Sequence, residues 1–132
     1  MISEKGLRAL AEKILKQLDV RGATLDVFLL PDREIAAIKA RFIKKKTEPN
    51  VLAFPEPARF PHPETKKRHL GEVYLNRGIL KEAPARAAPL LLHGILHLLG
   101  YDHTKAGDAK KMERLENGLL ARLPQVARRR HF

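Results

Sequence analysis

Three histidines, His93, His97 and His103, stand close together in the run HGILHLLGYDH at 93–103. Two of them lie inside one of the most apolar stretches of the chain, PLLLHGILHLLG, where an imidazole left without a partner costs roughly 1–3 kcal/mol. A shared metal ion would satisfy them. Residues four apart on an α-helix share one face, about 6 Å apart along the axis, so His93 and His97 form a chelating pair. Gly100 falls where such a helix should stop, because glycine takes the left-handed C′ conformation without penalty. The chain can then turn back and bring His103 to the same ion. Three neutral imidazoles leave one tetrahedral position of a zinc ion open, and zinc lowers the pKa of a water bound there to about 7. Such a site also accepts nickel, cobalt or copper. A lone His-x-x-x-His pair arises by chance in roughly a quarter of chains with this histidine content; the added glycine and third histidine reduce coincidence more than about a hundredfold. Asp102 is a candidate for orienting one of the rings from behind.

The spacing His-x-x-x-His-x-x-Gly-x-x-His is also that of metzincin peptidases, in which a glutamate follows the first histidine and serves as general base. Here that position is Gly94, and neither Met1 nor Met112 is placed to form the downstream methionine turn. The pattern therefore supplies a metal site without the peptidase base.

Several elements must position these histidines. Ser3 caps a first helix with Leu7, Leu10, Ala11, Ile14, Leu15 and Leu18 at helical spacing. TLDVFLL, 24–30, reads as a strand buried on at least one side, and Asp32 starts a second helix with Ile35, Ile38 and Phe42 inward. A polar loop, KKKTEPN, leads to a short strand VLAF at 51–54. Four prolines within 55–63 mark a surface loop, and HLGEVYLN, 69–76, is a third strand. Residues 89–99 form a helix apolar nearly all round, which places it in the middle of the fold. Thr104 or Asp108 opens a last helix carrying Met112, Leu115 and Leu119, closed by Pro124.

At 132 residues, with 44% hydrophobic and 31% charged residues, the chain suits one domain over 1–123 followed by a basic tail over 124–132. No apolar run approaches the ~20 residues of a membrane span. The absence of cysteine excludes thiol catalysis and Cys-based zinc sites. The first residues lack the apolar core of a signal peptide, so a cytoplasmic protein is expected. The net charge of +11 includes clusters at Lys44, Lys45 and Lys46 and at Arg128, Arg129 and Arg130. Such an excess attracts polyphosphate backbones and points to nucleic acid as partner.

HGILHLLGYDH resembles the signature of the YbeY family, bacterial metal-dependent endoribonucleases implicated in ribosomal RNA maturation. NVLAFP at 50–55 is similar to the family's strand before its Pro-containing loop, and HLGEVYL at 69–75 to its Leu-Gly-acid strand, with Glu72 in the acidic place. The resemblance implies an α+β domain with a small mixed sheet, one zinc held by His93, His97 and His103, and RNA, ribosomal RNA or the ribosome, as partner. The catalytic side chains are not assigned from it. The family's arginine before the NVLxFP strand falls at Ile43 in a gapless alignment, and its neighbouring Asn and Thr fall at Lys39 and Pro49. With Lys44, Lys45 and Lys46 on backbone phosphates, the reading is a metal-dependent endoribonuclease. Its rivals are an RNA-binding assembly factor whose metal only staples the fold, and hydrolysis of a smaller substrate at the same ion.

Overall fold

The structure, a computed structural model, describes residues 2–42, 50–56, 68–101 and 106–122. Helix α1 (Glu4–Gln17) starts as expected at Ser3, whose hydroxyl accepts the Gly6 N–H at 3.0 Å. This satisfies one of the donors that a helix start leaves free. Its inward stripe is Leu7, Leu10, Ala11, Ile14 and Leu15. The left-handed position after the helix is taken by Asp19 (φ 58) and not by a glycine; Asp is one of the few non-glycine residues that tolerate it.

Strand β1 (Ala23–Leu30) buries Leu25 and Val27 on one face, and helix α2 (Asp32–Phe42) follows with Ile35 buried. Strands β2 (Val51–Pro55) and β3 (Arg68–Asn76) complete a mixed sheet of order β1-β3-β2, with β3 parallel to β1 and antiparallel to β2. A bulge interrupts the β1/β3 register between Thr24 and Asp26, where Leu70 and Gly71 are both buried. Gly71 has φ 142, and a Cβ there would run into the Phe54 carbonyl oxygen and Pro55 of β2. Only glycine lets the two strands approach so closely, which accounts for the Gly of the Leu-Gly-acid strand. The bulge also resets the alternation of side chains, so that His69 and Glu72, three apart, share the outward face.

A short helix α3 (Arg77–Glu82) and a 3-10 turn over Pro84–Arg86 lead into helix α4 (Ala87–Leu98), nine of whose residues are buried. Helices α1 and α4 cover one face of the sheet, and helix α5 (Ala106–Arg122) packs on α4 through Met112 and Leu119. The result is the expected α+β domain with the His-x-x-x-His helix at its centre. Among the described residues no helix is long and apolar enough to cross a membrane.

Three details differ from the sequence reading. The central helix begins two residues earlier, at Ala87, after the turn made by Pro84. The last helix starts at Ala106, so Asp108 lies inside it and not at its start; Thr104, the other candidate cap, lies outside the described residues. Helix α3 was not expected, because six residues are too few to show a period. Its signal was Asn76, whose side chain accepts the Ile79 N–H at 3.2 Å and caps it.

Among the described residues Asn76 is the one buried polar residue, 1% exposed, and it ties three elements together. Its amide nitrogen donates to the Asp32 carboxylate at 2.8 Å and to the Asn50 side-chain oxygen at 3.3 Å. Its backbone N–H donates to the Asn50 carbonyl at 3.0 Å. Sequence reasoning passed over this residue; an asparagine at the end of a strand, a residue type suited to cap a following helix, was the available signal.

Candidate metal centre

Helix α4 is pressed against the sheet by Gly94. A Cβ at this position would lie 2.8 Å from Val73 Cγ1 and 3.2 Å from Val51 Cγ2, so β3 and β2 occupy the space a side chain would need. His93 and His97 are set to one flank of that sheet-facing line, on the side where α5 packs. Their rings stand 4.6 Å apart between centroids with planes at 69°. The two Nε2 atoms face each other at 3.1 Å.

That approach tests whether the pair suits a metal. Two imidazole nitrogens at 2.0–2.1 Å from one tetrahedral zinc ion are about 3.3–3.4 Å apart. The observed separation is within a few tenths of an ångström of this, so the two rings could take a cation between them with little movement. The donor set is also right in kind, since neutral imidazole suits zinc, nickel and copper alike.

Behind His93 stands a carboxylate that the sequence reading did not single out. Glu116 Oε2 is 3.3 Å from His93 Nδ1, with the two side chains 27% and 20% exposed. In α5 the spacing Met112, Leu115, Glu116 and Leu119 makes one inward stripe, and Glu116 is its only acidic member. An acidic residue interrupting an apolar stripe was the signal that could have identified it. With the carboxylate accepting from Nδ1–H, the free lone pair of His93 is on Nε2, the atom that faces His97.

The helix ends as the third-ligand argument requires. Gly100 has φ 102, its N–H donates to the His97 carbonyl at 3.0 Å, and the Tyr101 N–H donates to the Leu96 carbonyl at 3.1 Å. These are the paired bonds of a Schellman motif. They satisfy two end carbonyls and turn the chain at Gly100 and Tyr101. His103 itself, with Asp102, lies outside the described residues, and among the described residues no group of three metal-ligating side chains is assembled.

Lys44, Lys45 and Lys46, together with Ile43 and Pro49, also lie outside the described residues. Lys39 is in the last turn of α2, half-buried. Glu72 lies away from the histidines: it alternates with Val73, which touches α4, and so points from the opposite face of the sheet. There it accepts from the Tyr74 hydroxyl at 2.7 Å. Burial, then the bond to Glu72, then the charges of Glu72 and Asp26 push the Tyr74 phenol up to about 12. On the same face His69 Nε2 is 3.1 Å from the Asp26 carboxylate, and Tyr74 stacks on Phe28 at 5.2 Å.

Comparison with known proteins gives a consistent result. The family model described as Endoribonuclease YbeY matches residues 1–124. A protein of that name from Jannaschia sp. is 34% identical over 121 residues, covering 80% of this chain and 76% of the relative. One from Chelativorans sp. is 34% identical over 134 residues, covering 92% and 82%. One from Aquifex aeolicus is 34% identical over 126 residues, covering 88% and 81%.

Proposed function

This chain belongs to the YbeY endoribonuclease family, and from that premise we propose that it is a metal-dependent endoribonuclease that cleaves ribosomal RNA during maturation and in ribosome quality control. The observation that carries the metal dependence is the 3.1 Å approach of the His93 and His97 Nε2 atoms, with a carboxylate behind one of them. His103, three residues after Gly100 in the sequence, is the proposed third ligand. When bound, a zinc ion supplies Lewis-acid chemistry, polarising a phosphoryl oxygen or making water nucleophilic at neutral pH.

The protein's own residues do the rest. His93 and His97 are fixed on a helix buried in the core, so the pair is preorganised and loses little side-chain freedom on loading. Lys44, Lys45 and Lys46 and the overall charge of +11 neutralise the RNA backbone. No side chain is assigned as acid or base. The presence of Ile43 where the family arginine is expected favours a second reading, an RNA-binding assembly factor in the cytoplasm whose metal only stabilises the fold.

The deciding experiment incubates ribosomal RNA with wild-type protein, chelated protein and a His97→Ala variant, all purified identically. Cleavage by the wild type alone is expected. Equal cleavage by metal-free His97→Ala protein would remove the mechanism, and RNA binding without cleavage in the metal-loaded wild type would establish the assembly-factor reading.

A further inference from the structure

Glu116 is the one carboxylate that the described structure brings into contact with the histidine pair, and its placement is specific. Met112 and Leu119, 2% and 1% exposed, anchor α5 one turn to either side of it, so the register of that helix is fixed by packing. The carboxylate is thereby directed at Nδ1 of His93 and not at the Nε2 atoms, which face each other on the other side of the ring. A simple surface ion pair would not need this geometry.

We propose that Glu116 is a positioning residue: it holds the His93 imidazole in the Nδ1–H form, with Nε2 turned toward His97, and so sets the affinity of the pair for a divalent transition-metal ion. The inference rests on the metal reading proposed above. Its physical basis is twofold. A neutral imidazole in solution divides between two tautomers and rotates freely about two bonds, and only one arrangement presents Nε2 to the ion. An anionic acceptor at Nδ1 selects that arrangement before loading and makes Nε2 a stronger donor after it. Loss of such an outer partner typically lowers metal affinity 10–100-fold.

The test is a zinc titration of the full chain at pH 8, in competition with a chromophoric chelator, for wild type, Glu116→Gln, Glu116→Ala and His97→Ala. Far-ultraviolet circular dichroism of each metal-free protein reports the fold separately. The expected result is a Kd for Glu116→Ala raised by about 10–100-fold. Glu116→Gln, whose amide oxygen accepts the same proton without charge, should fall between it and the wild type. In the metal-free wild type, nitrogen NMR of the imidazoles should show His93 with its proton on Nδ1, and Glu116→Gln should show a mixture. If Glu116→Ala does not fold, the near-isosteric Gln variant carries the same comparison. Wild-type affinity in both Glu116 variants, with binding lost in His97→Ala, overturns the role of Glu116 and leaves the metal site standing. Failure of the wild type itself to bind zinc, nickel or cobalt overturns the metal reading, and the Glu116 proposal with it.

Discussion

Replacing Gly94 by alanine sets two opposed effects against each other, and the structure decides the sign. In a solvent-exposed helix the change is favourable by about 1 kcal/mol, because alanine loses less backbone entropy than glycine. In α4 the new methyl group would meet Val73 Cγ1 at 2.8 Å, Val51 Cγ2 at 3.2 Å and Val73 Cγ2 at 3.3 Å. Those valines are 0% and 5% exposed, they belong to neighbouring strands, and β-branched side chains have little rotamer freedom with which to give way. Helix α4 would have to lift from both strands at once. Overpacking of this kind costs typically 1–3 kcal/mol, and with two stiff neighbours the upper half of that range applies. The net expectation is a loss of about 1–2 kcal/mol, or a fall in Tm of very roughly 3–10 °C for a chain of this size. The chain has no tryptophan, so urea and thermal unfolding followed by circular dichroism at 222 nm is the suitable assay. A Gly94→Ala protein more stable than wild type would refute the reasoning, since it would mean the helix is not held against the sheet at this position. Gly94→Glu, the peptidase-like sequence, would place a charge in the same contact at a cost of several kcal/mol and should not give a folded protein.

Asn76→Ala removes a helix cap and leaves the Asp32 and Asn50 side chains without this partner, so a loss of about 2–4 kcal/mol in urea unfolding is expected; a change under about 0.5 kcal/mol would show that the hub contributes nothing. Tyr74 should titrate near pH 12 in absorbance at 295 nm. Because the folded state holds this phenol protonated beyond its unfolded value of about 10, the associated stability is complete below pH 10 and is lost as pH rises toward 12. Glu72→Gln should bring that titration down only part of the way, since burial is the leading cause; a full return to 10 would make the carboxylate the cause. Binding of single-stranded RNA should weaken steeply with salt, and replacing Lys44, Lys45 and Lys46 together by alanine should reduce the log–log salt slope by about 2. An unchanged slope would place the phosphate contacts elsewhere.

What could be read from the sequence was what rests on local rules. The first helix, its Ser3 cap, the three strands, the buried central helix and the turn at Gly100 all follow from periodicity and from the conformations particular residues prefer. The pairing of His93 with His97 belongs to the same class, because four-residue spacing on a helix fixes it. What could not be read depends on which distant segments meet. The contact of Glu116 with His93 spans two helices, and that of Asn76 with Asp32 and Asn50 joins the end of β3 to the start of α2 and to the turn before β2. Glu72 looked significant through its place in a motif, yet a bulge at Leu70 and Gly71 decides which face it takes, and no period announces a bulge.

These placements restrict how the site can handle protons. A metal-assisted hydrolase needs an acceptor for the proton of the attacking group, and in the peptidases that share this histidine spacing the residue after the first histidine provides it. In this fold that position is closed off by Val73 and Val51 of two strands, so no side chain there could reach the edge of the helix that carries His93 and His97. Glu116 accepts from His93 on the far side of the ring from Nε2, which fits it to orient a ligand and removes it from the open side of the site. Glu72 is on the other face of the sheet. Any acid or base acting on RNA must therefore come from another element or from the substrate itself, and this separates the chemistry from that of a peptidase more firmly than the missing glutamate does. A residue absent from a sequence could be restored by mutation, whereas a position filled by Val73 and Val51 could not.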